Sequence, residues 1–252
     1  MLLNFFKFTS AVVLLGLLIY PQSSLAQTTL IDPAGDGGFS NGGTFAANGW
    51  TVANSANNPW VIGTAAGSPP YAGNSAYVST DGGTTYTYNI TATSLNFFYR
   101  DITVPASETI ITLNLNWISN GEASWDLWQV FTAPTSVVPV GGIHPGSGTS
   151  NVPAAIAGAT FIGFGQTQTT VQTTSFLLPA SLAGTTFRLI FSWKSDTSIG
   201  TDPPASMDNI SLISRMPITP APPITFGASL VTQNGMTVNW TDNSTDEVSF
   251  RV

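Results

Sequence analysis

The chain has no cysteine, which removes a whole class of stabilising and reactive groups. It therefore forms no disulfide, binds no metal through thiolates and carries no lipid-bearing cysteine behind a leader. An exported protein without disulfides must be held together by a buried core, by metal, or by both. A main region of about 190 residues is large enough for a core alone.

Positive charge is also scarce, since 6 Lys and Arg stand against 13 Asp and Glu and give a net charge of −7. Nucleic-acid binding needs Lys and Arg to neutralise phosphates, so we predict no nucleic-acid partner. The single histidine, His144, lies in a Pro/Gly-rich stretch that predicts a surface loop. The sequence contains no His-Glu-x-x-His motif, and we predict no enzymatic activity.

Helical periodicity is missing, whereas Gly (24), Pro (17), Thr, Ser, Val and aromatic residues are abundant. This composition predicts an all-β protein. About eleven short strands separated by turn residues indicate a β-sandwich, and their long loops favour a jelly roll. The predicted strands are residues 45–53, 60–64, 76–79, 85–89, 97–104, 113–117, 126–130, 159–165, 171–178, 187–194 and 207–214.

Two strands show the alternation of a sheet most clearly. In residues 187–194 (FRLIFSWK) large apolar side chains alternate with Arg, Ile, Ser and Lys, which predicts a strand. In residues 97–104, Arg100 and Asp101 are adjacent and point to opposite faces, so we expect each to have a different partner.

Residues 1–26 resemble a secretory signal peptide. Lys7 precedes the apolar run AVVLLGLLIY, and Ser24-Leu25-Ala26 fits a cleavage site that leaves Gln27 as the first mature residue. The alternative is a membrane anchor, but the run is about half of the roughly 20 residues that a span needs. We predict export, with no membrane span in the mature chain.

Two carboxylates and three tryptophans are concentrated in residues 113–134 (LNLNWISNGEASWDLWQVFTAP), which predict two strands joined by a loop. Glu122 lies in the loop. Asp126 shares a face with Trp128 and Val130, so it must be hydrogen-bonded, paired or metal-bound. The stretch is either a metal or ligand site or a loop pinned to a sheet.

As a set, several segments resemble the choice-of-anchor J and cleaved-adhesin domains of bacterial surface proteins over about residues 35–214. The matching segments are Gly49-Trp50, WDLWQV, GTTFR at 184–188 and Asp208-Asn209-Ile210. The resemblance implies a jelly roll similar to MAM-type and carbohydrate-binding sandwiches. It also implies a non-catalytic module of a secreted adhesin, protease or glycan-degrading enzyme, often exported by the type IX route.

The resemblance further implies a structural Ca²⁺ near the two chain ends. Asp208 matches the terminal Asp position, and Asp36, Asn41 or Asp126 would complete the ligand shell. A Glu that commonly contributes just after the first conserved Phe is replaced here by Ser40, after Phe39. A solvated turn is the alternative for the Gly-rich segment that contains Asp36.

The sequence after residue 214 changes character. Residues 215–224 predict an extended Pro-rich linker. Residues 225–252 resemble the start of a fibronectin type III domain, with Trp240 as its core tryptophan, and predict a fragment of a longer chain. The alternative is a terminal tail that packs on the main domain.

These observations predict a secreted, non-catalytic adhesion or recognition module for a glycan or a protein surface. Candidate contact residues are Trp50, Trp60, Tyr71, Glu122 and Trp125, and the alternative for each aromatic ring is core packing. Other candidate functions are an accessory domain of a secreted protease or glycoside hydrolase, a hydrolase that uses Glu122 and Asp126 as a carboxylate pair, and a structural spacer.

Overall fold

A computed structural model describes residues 27–66, 71, 73–142, 156–218 and 224–241. The predicted signal peptide, His144 and the residues after 241 lie outside the described residues. Thirteen strands are present in this part of the chain, together with two single-turn 3₁₀ helices, Ala46–Asn48 and Ala180–Leu182. The strands are β1 (Gln27–Ile31), β2 (Thr51–Ala53), β3 (Trp60–Gly63), β4 (Ser75–Val78), β5 (Ser94–Thr103), β6 (Ile110–Ser119), β7 (Leu127–Pro134), β8 (Thr160–Gly165), β9 (Gln168–Leu178), β10 (Thr186–Ser195), β11 (Ser206–Arg215), β12 (Ile224–Thr232) and β13 (Gly235–Thr241).

The order of the strands is that of a jelly roll. The first sheet runs β3-β4-β11-β6-β9, with β1 also paired to β11, and the second runs β2-β5-β10-β7-β8. Without β1, β2 and β3, the eight strands β4 to β11 form two four-stranded sheets of two interlocked Greek keys. The predicted all-β jelly-roll sandwich is therefore confirmed.

The main core lies between the two sheets. The alternating large apolar residues of β10, Phe187, Leu189, Phe191 and Trp193, all belong to it. Phe191 stacks on Phe98 of β5 with ring centroids 4.9 Å apart. This interior is the rigid support on which the loops are held.

A second apolar cluster lies on the outer face of the second sheet. It contains Phe97, Phe131, Ala133 and Ile190, with Val137 and other residues of the long β7–β8 connection packed against it. Ile190, Ser192 and Lys194 are therefore as buried as the inward residues of β10. The predicted strand is confirmed, and both of its faces are covered, one by the main core and the other by the β7–β8 connection.

Two predicted strands differ in the structure, one being shorter and the other a loop. Within residues 45–53 only β2 is a strand, since Asn48 donates to the carbonyls of Gly42 and Thr44 and holds a 3₁₀ turn. Residues 85–89 form a loop, in which the Tyr86 hydroxyl donates to the Pro204 carbonyl at 2.7 Å.

β12 and β13 pair with each other as a two-stranded hairpin. Its apolar side chains Leu230, Val231 and Met236 are between 63% and 79% exposed. Two strands were predicted here, while the fibronectin type III assignment and the linker stay predictions. Across the described residues, no helix is long and apolar enough to cross a membrane.

Candidate functional site

Four connections meet at one end of the sandwich, because the jelly-roll order returns β4–β5, β6–β7, β8–β9 and β10–β11 to the same end. Backbone hydrogen bonds join three of them: Asn120 accepts from Thr167, and Gly121 exchanges bonds with Thr201. The fourth connection contributes Tyr88. The predicted residues Glu122 and Asp126 lie in this group of loops.

Asp126 is completely buried at this end, and both of its carboxylate oxygens accept hydrogen bonds. The Tyr88 hydroxyl donates to Oδ2 at 2.5 Å, and the Asp196 backbone N–H donates to Oδ1 at 2.9 Å. Carboxylate oxygens of Glu122, Asp126 and Asp196 lie within 4.8 Å of one another. Lys194, also fully buried, donates from Nζ to the Ser124 carbonyl at 3.3 Å.

The charged groups at this end have shifted pKa values. Burial raises the pKa of Asp126 to about 6, although the bonds from Tyr88 and Asp196 counter this. Burial also raises the pKa of Glu122, and the charge of Asp196 adds to the rise. Burial lowers the pKa of Lys194 to about 8, against the attraction of Asp126 and Asp196. Burial is the largest cause of all three pKa shifts.

This arrangement joins loops rather than presenting reactive groups. A Cβ on Gly200 would lie 1.8 Å from the Tyr88 hydroxyl and 2.6 Å from Asp126 Oδ2, so the chain closes tightly over the carboxylate. A substrate has no access to Asp126, which removes the basis for a carboxylate pair in which Asp126 acts with Glu122 on a glycosidic bond.

The other predicted calcium ligands are Asp36, Asn41 and Asp208. Asp36 forms an ion pair with Arg100 and accepts from the Asp32 N–H at 2.8 Å. Asn41 is exposed on the loop after β1. Asp208 is buried in β11 and accepts from the Asn209 N–H at 2.7 Å. The Ile210 N–H donates to the Gly37 carbonyl at 2.9 Å, so the segments of Asp36 and Asp208 are neighbours, but both carboxylates already have protein partners.

The carboxylates that do assemble fit Ca²⁺ poorly. Ca²⁺ takes six to eight oxygen ligands, whereas both Asp126 oxygens already accept hydrogen bonds. Lys194 is buried at the same end, and the charges of Asp126 and Asp196 raise its pKa against the lowering by burial. One atom favours an ion, since Glu122 Oε2 is buried without a hydrogen-bond partner. Calcium binding stays a prediction.

Three of the predicted contact aromatics are core residues. Trp50, Trp60 and Tyr71 are each 2% exposed. Trp50 and Trp60 pack edge-on against Phe98 with ring centroids 5.2 and 5.0 Å apart. Tyr71 donates to the Ser206 carbonyl at 3.4 Å. A ring enclosed in this way has no face for a ligand, so of the five predicted contact residues only Glu122 and Trp125 are partly exposed.

Residues 38–42 (GFSNG) have the spacing of a hydrolase nucleophile elbow, G-x-S-x-G. An elbow places its serine on a sharp turn between a strand and a helix. Ser40 instead ends a run of turns, and its hydroxyl donates to the Gly38 carbonyl at 3.3 Å. The spacing therefore lacks the local structure that would make Ser40 a nucleophile.

An exposed aromatic pair lies on β8 and was not predicted. The rings of Phe161 and Phe164 are stacked at 22° with centroids 6.4 Å apart, and the two residues are 36% and 38% exposed. Phe161 also contacts Phe131 edge-on, which places the pair at the margin of the outer face of the second sheet. We call these two residues the β8 aromatic pair. Its signal in the sequence is two phenylalanines three apart in an uncharged strand.

No protein-family profile matches the chain, and no curated protein matches it. Solved structures do show similarity. A carbohydrate-binding module, TmCBM61 in complex with β-1,4-galactotriose, is 9% identical with a TM-score of 0.42, over 72% of this chain and 97% of that chain. The K1 cleaved adhesin domain of Lys-gingipain from Porphyromonas gingivalis W83 is 16% identical with a TM-score of 0.38, over 67% and 91% of the two chains.

A cyclase from Fischerella sp. TAU is similar to the same degree, with 13% identity and a TM-score of 0.45 over 77% of this chain and all of the cyclase. These chains differ in what they do, and each score is below 0.5. We therefore take no function from them. The jelly-roll assignment rests on the strand order alone.

Proposed function

We propose that this chain is a secreted, non-catalytic recognition module that binds uncharged glycans through the β8 aromatic pair. Two nearly parallel exposed rings carry the proposal. An exposed aromatic face stacks on the apolar face of a sugar ring, and a second ring extends the contact to the next sugar. Both rings lie on a strand of the sandwich, so the site is formed before the ligand arrives.

The surroundings of the pair favour a neutral ligand. No Asp, Glu, Lys or Arg occurs between His144 and Arg188, a segment that includes all of β8 and β9. Ser, Thr and Gln are common in this segment, and their hydroxyl and amide groups suit the hydroxyls of a sugar. A charged polysaccharide would find no opposite charge on these two strands.

The proposed export and membership of a larger bacterial surface protein come from the leader and the family resemblance. As an accessory domain of a secreted protease or glycoside hydrolase, the module would hold the enzyme on its substrate. A spacer without any ligand is the competing function. A protein surface is the other candidate ligand.

Binding of the chain from Gln27 onward to an array of neutral glycans tests the proposal. We expect Phe161→Ala and Phe164→Ala each to weaken binding to any positive glycan by about fivefold, since one stacked ring contributes roughly 1 kcal/mol. Ile199→Ala is the matched control, because Ile199 is 77% exposed on the β10–β11 loop and is not part of the β8 aromatic pair.

Two results would reject glycan recognition at this site. If the unaltered chain binds no glycan on the array, the spacer function is favoured. If it binds but both phenylalanine variants bind equally well, the ligand lies elsewhere on the molecule. Thermal melting of each variant shows whether a loss of binding reflects a loss of folding.

A further inference from the structure

The edge of the first sheet is an unusually long and regular strand. β9 has 11 residues and ends the sheet order, with β6 as its only strand partner in the described part of the chain. Residues 172–178 pair with β6 in unbroken register, from Gln172 opposite Trp117 to Leu178 opposite Ile111. No strand among the described residues pairs with the other side of this stretch, so its backbone groups there present an edge to a further strand.

β9 lacks the usual features that prevent edge pairing. Natural edge strands are protected by charged residues, especially Lys, by Pro, by bulges or by short length. The sequence of β9, QTTVQTTSFLL, has no charge and no Pro. Its one irregularity lies before Gln172, outside the regular stretch. Thr, Val and Phe are also favourable strand residues.

The edge also exposes apolar surface. Leu177 is 73% exposed, although it lies within the regular stretch. With Phe161 and Phe176 it lines a groove of about 630 Å³ between β8 and β9. A single strand added beside β9 would cover Leu177 as well as the backbone groups of this edge.

We propose that β9 pairs with β9 of a second copy of this chain, antiparallel about a twofold axis at Ser175. This axis is the midpoint of residues 172–178, so the whole regular stretch pairs with itself. Thr173 then lies opposite the partner's Leu177, and Thr174 lies opposite the partner's Phe176. Phe176 and Leu177 each gain a β-branched neighbour across the interface.

A second copy suits this edge because the pairing places no charge opposite a like charge. The overall net charge of −7 repels a second copy in general, but none of that charge lies on β9. The twofold contact is isologous and closes after two copies, so it forms a dimer and not a fibre. The proposal does not rest on glycan binding.

Two substitutions test the dimer by mass. We expect the chain from Gln27 onward to have the mass of a dimer in sedimentation and light scattering. Ser175→Lys places two ammonium groups at the axis and should give monomers. Thr169→Lys is the control, because Thr169 is exposed on β9 outside the regular stretch, and it should remain dimeric.

Cross-linking gives a second measurement that does not depend on disrupting the edge. Because the chain has no cysteine, Ser175→Cys introduces a single thiol on the proposed axis. Directly opposed residues have Cβ atoms roughly 4.5–5.5 Å apart, close enough for a disulfide after small adjustment. Oxidation should cross-link Ser175→Cys quickly and Thr169→Cys slowly.

The proposal is overturned if the unaltered chain is a monomer at every concentration reached and the two cysteine variants cross-link at the same rate. Larger species that grow continuously with concentration also overturn it, since the pairing closes at two. A Ser175→Lys chain that stays dimeric and folded would place the interface on another surface.

Discussion

At the scale of single residues, Arg100 and Asp101 show that local geometry sets the direction of a side chain but not its partner. Their adjacency in a strand predicts opposite directions and separate partners. Arg100 pairs with Asp36, and Asp101 accepts two hydrogen bonds from Arg188, at 2.7 and 2.9 Å. The direction of each side chain follows from the sequence, whereas Asp36 and Arg188 come from distant segments that only the fold brings near.

Asp208 makes a pH-dependent contribution to stability. Burial raises its pKa from 3.8 to about 6, although the hydrogen bond from Asn209 lowers it. Because the folded state holds the proton more tightly, this contribution is complete below pH 4 and is lost as the pH rises through 6. A shift of about two units corresponds to roughly 3 kcal/mol.

Asp208→Asn should therefore remove part of this pH dependence. We expect urea unfolding at pH 4 and pH 7 to show a smaller loss of stability for the variant than for the unaltered chain, by up to roughly 3 kcal/mol. Asp81→Asn is the control, because hydrogen bonds from Thr85 lower the pKa of Asp81 to about 2. The stability that Asp81 contributes is therefore lost as the pH falls, opposite to that of Asp208. Equal pH dependence in Asp208→Asn and the unaltered chain would contradict the argument.

At the scale of elements, β8 shows why the aromatic pair was not predicted. Phe161 and Phe164 are three residues apart, so regular alternation places them on opposite faces of a strand. The register with β7 shifts between Phe131–Phe161 and Val130–Gly163, which inserts one extra residue at Ile162. This β-bulge returns both rings to one face. Strand composition alone does not reveal such a bulge.

β10 allows a test of how completely its two faces are covered. Leu189 faces the main core and Ile190 faces the second cluster, and both are fully buried. We expect Leu189→Ala and Ile190→Ala each to lower the free energy of unfolding by about 2–5 kcal/mol, as large-to-small core changes do. Urea unfolding measures both values.

Val140→Ala is the control for this test, because Val140 is 76% exposed on the β7–β8 connection. It should change the free energy of unfolding by less than about 0.5 kcal/mol. If Ile190→Ala costs as little as Val140→Ala, the β7–β8 connection does not cover the outer face of the second sheet in solution.

At the scale of the whole molecule, the jelly-roll order determines which charged groups meet. Asp126 and Asp196 are 70 residues apart, and Tyr88 comes from a third connection. Burial at the loop end favours neutral or paired groups. The fold also buries Lys194 at this loop end, where its positive charge interacts with Asp126 and Asp196.

Calcium binding is therefore open to a direct test on the whole mature chain. A metal that binds only the folded state must raise the melting temperature. Because Asp36, Asp126 and Asp208 already have protein partners, we expect millimolar Ca²⁺ to shift the melting temperature by less than about 1 °C relative to chelator. A larger rise that Glu122→Gln abolishes, and Asn41→Ala does not, would instead place an ion at the loop end.

The sequence by itself determined the class of fold and most strands, because alternation of apolar residues and turn chemistry act over a few neighbours. It also determined that Asp126 must be satisfied by partners. Only the tertiary structure decided who those partners are, that Trp50, Trp60 and Tyr71 are enclosed, and that Phe161 and Phe164 are exposed together. Burial and long-range pairing depend on which strands become neighbours, and residues far apart in the chain decide that.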